Sequence, residues 1–259
     1  FRNAALFNYT SDVVVPACED SLALVGGLAV FDDAGAQSQV DCGLPAVPGA
    51  AVSSIQSGAD LTYVPIPSPP NKLMVGMATE LLARYTEATK NAGIVHSDTA
   101  SLEYIKNRMK EALTSIGYTF VWDETSAIGE ANWPPLVVGM QQAGVQYLTP
   151  VSAWEEVVNL EVAEKQQDFA PEVTALETNF YQANYLKQSG GNGEGNYLQL
   201  TTWPFGEAEQ NPAMAEFLAA LESAVPGAQP EQLGVLSWSA WLMWAQAAKN
   251  AGSDLTRET

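Results

Sequence analysis

Short apolar segments alternate with amphipathic segments along most of this chain. The apolar segments have the length of buried strands, and the predicted strands are residues 22–27, 44–48, 60–66, 92–96, 118–122, 145–148, 173–176 and 197–202. Helices are predicted between them, at residues 33–40, from Asn71 onward, 99–116, from Asn132 onward, 153–169, 212–221 and 232–250. Alternation of this kind indicates an α/β fold in which parallel sheets are flanked by helices on both faces.

Two proline-rich stretches, at residues 65–70 and 203–205, interrupt this alternation. The segment between them is long enough to form a domain of its own. We therefore predict two Rossmann-like lobes joined by a hinge, with a ligand cleft between them. Residues 1–71 and 205–259 are predicted to form a discontinuous first lobe, and residues 72–204 the second.

The charge balance of the chain excludes two classes of partner. Acidic residues outnumber basic ones 30 to 11, which gives a formal charge of −19. Such a surface repels nucleic-acid phosphates and anionic lipids, and no cluster of Lys and Arg offsets it. We therefore expect neither nucleic acid nor a membrane surface as a partner.

No motif of a common enzyme class is present in the sequence, which lacks a G-x-S-x-G elbow, an H-E-x-x-H pair and a P-loop. Two cysteines, Cys18 and Cys42, and the single histidine, His96, cannot build a structural zinc site alone, so we expect no metal and no cofactor. The cysteines are compatible with one disulfide or with two free thiols. The alternative of an α/β hydrolase or mutase would require His96, Asp98 and Glu177 to converge on one pocket.

Candidate ligand-binding residues follow the predicted strands, where open α/β sheets bind ligands. Glu177 comes directly after the apolar segment 173–176. A carboxylate at that edge needs a partner, which is either a ligand cation or a hydrogen-bond donor of the protein. The aromatic residues Phe31, Trp154, Phe180 and Tyr181 also follow strands, and they either cover the core or line an apolar pocket.

Five segments, taken in their order, carry a resemblance to a known family. They are Ala-Leu-Val-Gly-Gly at 23–27, Cys-Gly-Leu-Pro-Ala-Val-Pro-Gly-Ala at 42–50, residues 92–98, residues 104–117, and the run from Trp-Ser-Ala-Trp at 238–241 to Gly-Ser-Asp at 252–254. This order resembles the type I solute-binding proteins, in particular the leucine/isoleucine/valine-binding family of ABC transporters. The resemblance implies a binding protein without catalysis that hands a small molecule to a membrane permease. A ligand-sensing module of the same fold, inside a receptor or regulator, is the alternative.

The resemblance also implies which loops contact the ligand. From the first lobe it implies Val30, Phe31, Asp32, Ala50, Ala51 and Val52, and from the second Thr99, Ala100, Ser152, Trp154, Glu177, Thr178, Asn179 and Phe180. Glu177 matches the acidic residue that holds the ligand ammonium in that family. The small hydroxyl residue that follows the family's first strand is absent here, and Ala51-Val52 stands where a Thr is usual. The expected ligand is therefore an amino acid or an apolar or aromatic compound.

Two further expectations follow from the resemblance. Export to the periplasm or the cell surface, with a lipid anchor on an N-terminal segment outside this sequence as one option, favours a disulfide between Cys18 and Cys42. The family's first strand–helix–strand unit and its closing segments have no counterpart here, so the first lobe is expected to be incomplete. The missing unit is expected to come from residues outside this sequence, from a neighbouring chain or from a symmetry mate.

Overall fold

The computed structural model describes residues 11–29, 32–67 and 69–257. Contacts divide the chain into two compact units. Unit 1 comprises Phe1–Lys72 and Leu233–Thr259, and unit 2 comprises Leu73–Gln232. We predicted that the chain returns from the second lobe to the first at residue 205. In the structure, residues 205–232 belong to unit 2. The hinge and the cleft between the lobes stay predictions.

The secondary structure follows the predicted alternation. Within the described ranges the strands are β1 (Leu24–Val25), β2 (Ala46–Val47), β3 (Ala92–Ser97), β4 (Phe120–Ser126), β5 (Tyr147–Val151), β6 (Val173–Leu176) and β7 (Tyr197–Leu198). The helices are α1 (Ser11–Asp20), α2 (Asp33–Asp41), α3 (Ser54–Gly58), α4 (Gly76–Arg84), α5 (Thr86–Thr89), α6 (Ala100–Ser115), α7 (Pro134–Ala143), α8 (Trp154–Gln166), α9 (Ala183–Ser189), α10 (Pro212–Ala224) and α11 (Gln232–Ala251). Short 3₁₀ segments occur at Thr178–Phe180, Phe205–Gln210 and Gly252–Asp254.

Unit 2 is organised around a five-stranded sheet with the order β4-β3-β5-β6-β7. Every neighbouring pair in this sheet is parallel. Residues along β3 alternate between the two faces: Ile94 packs in a cluster with residues of α4, α5 and α6, and Val95 packs in another with residues of α7 and α8. Because helices cover both faces, the strands read as continuous apolar runs. This confirms the predicted α/β class with parallel, helix-flanked sheets.

Unit 1 contains a much smaller sheet. β1 and β2 are parallel partners, and Thr62 makes an isolated parallel bridge to Ala46. The predicted strand at residues 60–66 is therefore wrong, because backbone pairing there is limited to this one position. The small sheet agrees with the expectation of an incomplete first lobe.

The start of α4 also corrects the sequence analysis. Asn71 was expected to cap this helix, but the helix begins at Gly76 after Val75. The amide of Lys72 bonds instead to the carbonyl of Pro69 at 3.1 Å, so the chain turns before it enters the helix. In contrast, α6 begins as predicted, because the Thr99 hydroxyl accepts a hydrogen bond from the amide of Leu102 at 3.1 Å.

A disulfide joins Cys18 in α1 to Cys42 at the end of α2, with their Cα atoms 6.0 Å apart. This confirms the predicted bridge. Near it, the guanidinium of Arg257 donates to the carbonyl of Ser21 at 2.9 Å, which holds the C-terminal segment against the end of α1. Across residues 11–29, 32–67 and 69–257, no helix has the length and hydropathy required to cross a bilayer.

The bridge closes a loop of 24 residues, which restricts the unfolded chain. Replacing both cysteines by serine should therefore lower the free energy of unfolding by about 3 kcal/mol. Chemical denaturation of the oxidised protein and of the double variant measures this difference. A reducing agent should destabilise the wild type and leave the variant unchanged, and equal unfolding midpoints for all four samples would contradict the prediction.

Candidate functional site

The carboxyl ends of β3 and β5 bring two serine hydroxyls together in unit 2. Ser97 is the last residue of β3, and Ser152 directly follows β5. The strands pair in register up to His96 and Val151, so these serines come next on each side. Their Oγ atoms lie 2.9 Å apart, and both residues are buried. Ser152 was predicted from the sequence as a ligand residue, whereas Ser97 was not.

Glu156 in the first turns of α8 connects these serines to the segment after β4. One carboxylate oxygen accepts a hydrogen bond from the Ser97 hydroxyl, and the other accepts from the amide of Gly129 at 2.6 Å. Glu156 is itself buried. Glu156 was not among the residues predicted to bind the ligand. Its partners are 59 and 27 residues away in the chain, so local pattern could not reveal them.

The direction of the hydrogen bonds in this cluster follows from donor counting. A serine hydroxyl has one proton, and a carboxylate can only accept. Ser97 is placed to donate both to the Ser152 oxygen and to Glu156, so its single proton serves one of these acceptors at a time.

Glu177 follows β6 and is only half-buried, yet its surroundings disfavour a charge. Burial raises the pKa of its carboxyl to about 7. The side-chain amide of Gln199 donates to it over a long 3.5 Å. No cationic side chain contributes to its pKa. The carboxyl at this strand end is thus poorly satisfied by the protein itself.

The aromatic residues near Glu177 are placed differently from one another. Phe180 is buried and packs edge-on against Tyr185, with ring centroids 5.3 Å apart. Trp154 is half-buried and packs against the same apolar cluster. Tyr181 stacks on Phe205 at 4.6 Å. Phe180 is therefore part of the apolar core, whereas the Trp154 side chain is partly exposed.

The other predicted residues of unit 2 are also at strand ends. Thr178 and Asn179 form the 3₁₀ turn after β6, and Thr178 lies 3.4 Å from the hydroxyl of Thr201. The carbonyl of Asn179 accepts from Gln182 at 2.9 Å. Thr99 uses its hydroxyl to cap α6, and Ala100 is exposed at the first position of that helix.

The two predicted loops of unit 1 are tied together by Asp32. Its carboxylate oxygens accept hydrogen bonds from the amides of Val52 and Ser53, both at 2.7 Å. The side chain is buried, which raises the pKa of the carboxyl, and the two amides partly offset that rise. Asp32 is thus fully used inside unit 1. The predicted residues Val30 and Phe31 lie outside the described residues.

The remaining residues of these loops line two apolar grooves within unit 1. Ala50 lines a groove of about 340 Å³ with Leu24, Leu28 and Trp241. Ala51 lines another of about 350 Å³ with Val64 and Pro70. Both are open to solvent, and the groove surfaces are more apolar than polar.

The residues of the enzymatic alternative do not form a hydrogen-bonded triad in the described part of the chain. His96 is buried with an Nδ1 that has no hydrogen-bond partner, and burial lowers its pKa. Asp98 is exposed, and Glu177 contacts Gln199. Among the described side chains, no group of three or more His, Cys, Asp or Glu could hold a metal ion.

Solved structures with the same fold are solute-binding proteins. A leucine-binding protein from Thermotoga maritima superposes with a TM-score of 0.76 at 18% identity, over 96% of this chain and 70% of that one. A fatty acid ABC transporter substrate-binding protein from Thermomonospora curvata gives 0.78 at 14% identity, over 95% and 64%. An extracellular ligand-binding receptor from Rhodopseudomonas palustris gives 0.74 at 19% identity, over 93% and 69%. This chain thus spans about two thirds of their length.

A comparison with curated protein sequences gives no match. The family model described as periplasmic binding protein matches residues 34–259, which is most of the chain and includes all of unit 2. The chain therefore belongs to the periplasmic binding protein family.

Proposed function

We propose that this chain is the substrate-binding protein of an ABC transporter, and that it binds a small molecule for uptake without transforming it. The observation that carries the proposal is Glu177, a carboxyl at the ligand edge of a parallel sheet whose pKa burial raises to about 7 and which has one long contact. A ligand that donates a hydrogen bond or a positive charge would satisfy it.

The composition of the loops favours a largely apolar ligand over a plain amino acid. A ligand carboxylate needs donors, but the amides of Val52 and Ser53 are already used by Asp32. No Lys or Arg occurs among the predicted ligand residues. Apolar surface is available instead, at the partly exposed Ala50 and Trp154. We therefore propose an apolar or aromatic compound that carries a hydrogen-bond donor, with an amino acid as the alternative.

The expected partner is a membrane permease, and the expected location is outside the cytoplasm, in the periplasm or at the cell surface. The family and the disulfide Cys18–Cys42 support an extracytoplasmic location, because such bridges persist in oxidising compartments. Native mass spectrometry of freshly purified protein, followed by identification of any released compound, tests the proposal. A co-purified compound that rebinds with a defined stoichiometry supports it. Turnover of that compound by the protein would instead favour an enzyme.

Glu177 gives ligand binding a characteristic pH dependence. A ligand that donates to this group prefers the ionised carboxylate, so its affinity should rise with pH by up to about tenfold per unit until pH passes about 7. Glu177→Gln should weaken binding by about 1.5–3 kcal/mol and remove the pH dependence. Calorimetric titration with the co-purified compound, or with leucine and a long-chain fatty acid, measures this. Glu172→Gln, an exposed change just before β6, is the control, and an affinity that falls as pH rises would contradict the prediction.

Trp154 is expected to cover the apolar part of the ligand. Trp154→Ala should weaken binding by about 1–3 kcal/mol, because ring surface is lost from the contact. The same titration measures the change, and Trp244→Ala, at another half-buried tryptophan, serves as the control. Unchanged affinity in a Trp154→Ala protein that remains folded would remove this residue from the site.

Glu156 is expected to stabilise the strand ends on which this site is built. In Glu156→Gln the amide has one acceptor oxygen, so either the Ser97 hydroxyl or the Gly129 amide loses its partner in a buried position. The free energy of unfolding should fall by about 1–3 kcal/mol. Denaturant unfolding measures this against Glu155→Gln, an exposed neighbour on the same helix. Equal stability of the two variants would show that the cluster does not hold these segments together.

A further inference from the structure

Helix α8 carries two buried carboxylates that are not among the proposed ligand residues. Glu161 and Glu164 are 4% and 8% exposed, respectively. Residues three apart on a helix are neighbours on its surface. One oxygen of each, Oε2 of Glu161 and Oε1 of Glu164, is buried without a hydrogen-bond partner. Two unpartnered carboxylate oxygens side by side in a protein interior are unfavourable unless something lies between them.

The other oxygen of Glu161 is well satisfied. Its Oε1 accepts from the hydroxyl of Tyr185 in α9 at 2.5 Å and from the side-chain amide of Asn196 at 2.8 Å. Asn196 also donates to the Tyr185 oxygen at 2.9 Å. Burial raises the pKa of the Glu161 carboxyl, and these two donors partly offset that rise. Glu164 has no comparable donors, so of the two residues it disfavours a charge more.

No positive charge in the described surroundings neutralises this pair. Helix α7, which packs on α8, contains no ionisable residue, and strands β3 and β5 contribute Val95 and Leu148 to the shared core. On α8 itself, Lys165 is exposed and its ammonium donates to Asn192 at 3.3 Å. Lys187 on α9 and Glu194 in the following loop are both exposed. A metal ion would need more ligands, and no group of three or more such side chains exists among the described residues.

We propose that Glu161 and Glu164 bind one proton between them, with Glu164 donating to the free oxygen of Glu161, and that this pair forms a pH-sensitive latch for the glycine-rich loop 190–195. The shared proton gives a partner to both unsatisfied oxygens at once and removes one of two adjacent buried charges. The arrangement involves only these two side chains and one proton.

The loop depends on this pair because it packs directly upon it. A Cβ at Gly193 would lie 2.6 Å from the Tyr185 hydroxyl and 3.1 Å from Oε1 of Glu161, so the backbone can approach only because no side chain is present. Asn196 ends the loop and holds the chain at the entry of β7. Three residues further on, Gln199 contacts Glu177. Loss of the proton should therefore loosen α9, the loop and the start of β7 together.

The direction of the pH effect follows from the pKa of the pair. Burial and then the charge of Glu161 raise the pKa of Glu164 to about 8, from an ordinary value of 4.5. A raised acid pKa means that the closed form keeps its proton while the open form loses it between these two values. Each pH unit in this window should favour opening by up to about tenfold, and the effect should level off above pH 8.

Hydrogen exchange measured by mass spectrometry tests the latch. Wild type, Glu164→Gln and the control Glu155→Gln are compared with one another at each pH from about 5 to about 9. Because the intrinsic exchange rate of an amide is the same in the three proteins at one pH, the differences report on opening. An amide at position 164 donates to Glu161 at every pH. Residues 185–198 should therefore exchange progressively faster in wild type and in Glu155→Gln than in Glu164→Gln as pH rises towards 8. An equal pH dependence in all three proteins would overturn the proposal.

Two further measurements make the outcome decisive. Carbon-13 NMR titration of glutamate carboxyls in the wild type should show one group titrating near pH 8, which vanishes in Glu164→Gln. If that variant does not fold, the same titration is made on Glu177→Gln, which removes the other carboxyl whose pKa burial raises to about 7. The absence of any carboxyl titrating near pH 8 in that protein would overturn the latch. Exchange that accelerates on addition of EDTA at pH 6 would show that a cation rather than a proton occupies the pair, which would also overturn it.

Discussion

Strands β3, β5 and β6 are buried along their whole length on both faces of the unit 2 sheet. Polar side chains also occur within these strands, at His96, Thr149 and Thr174, and they are buried there. A buried polar group needs a hydrogen-bond partner. Ser97, Ser152 and Glu177 have theirs at the strand ends, where the chain leaves the sheet. Our proposal for a ligand site at these ends depends on the burial of the three strands.

One carboxylate links helix α8 to the same strand ends. Glu156 belongs to α8, Ser97 to β3, and Gly129 to the segment between β4 and α7. A single buried side chain therefore fixes three segments that meet at the edge of the sheet. The same hydrogen bonds hold the segments on which our proposed ligand site is built.

Features encoded by local periodicity could be predicted from the sequence, and features encoded by distant partners could not. The apolar runs of β3, β5 and β6 and the helix predicted over residues 99–116 depend on adjacent residues, and the structure has these strands and α6 there. Residues 60–66 have a strand-like pattern, but only Thr62 finds a partner in the small sheet of unit 1. The partners of Glu161 and Asp32 could not be predicted, because Asn196 and Ser53 lie 35 and 21 residues away, and Asp32 was instead expected to contact the ligand. The disulfide was predictable only with the family resemblance in hand.

The buried carboxyls of this strongly acidic chain can be compared by what satisfies each of them. Asp32 is held by two backbone amides, and Glu156 by a hydroxyl and an amide. Glu161 accepts from a phenol and a side-chain amide, and in our proposal Glu164 keeps a proton that it donates to Glu161. Glu177 differs from all of these, because its one contact is a long one to Gln199 and no neighbouring residue lowers its pKa. A carboxyl that the protein desolvates at a ligand edge without supplying donors is best explained by a donor that arrives with the ligand. This comparison is why Glu177, rather than the more deeply buried acids, is the anchor of the proposed site.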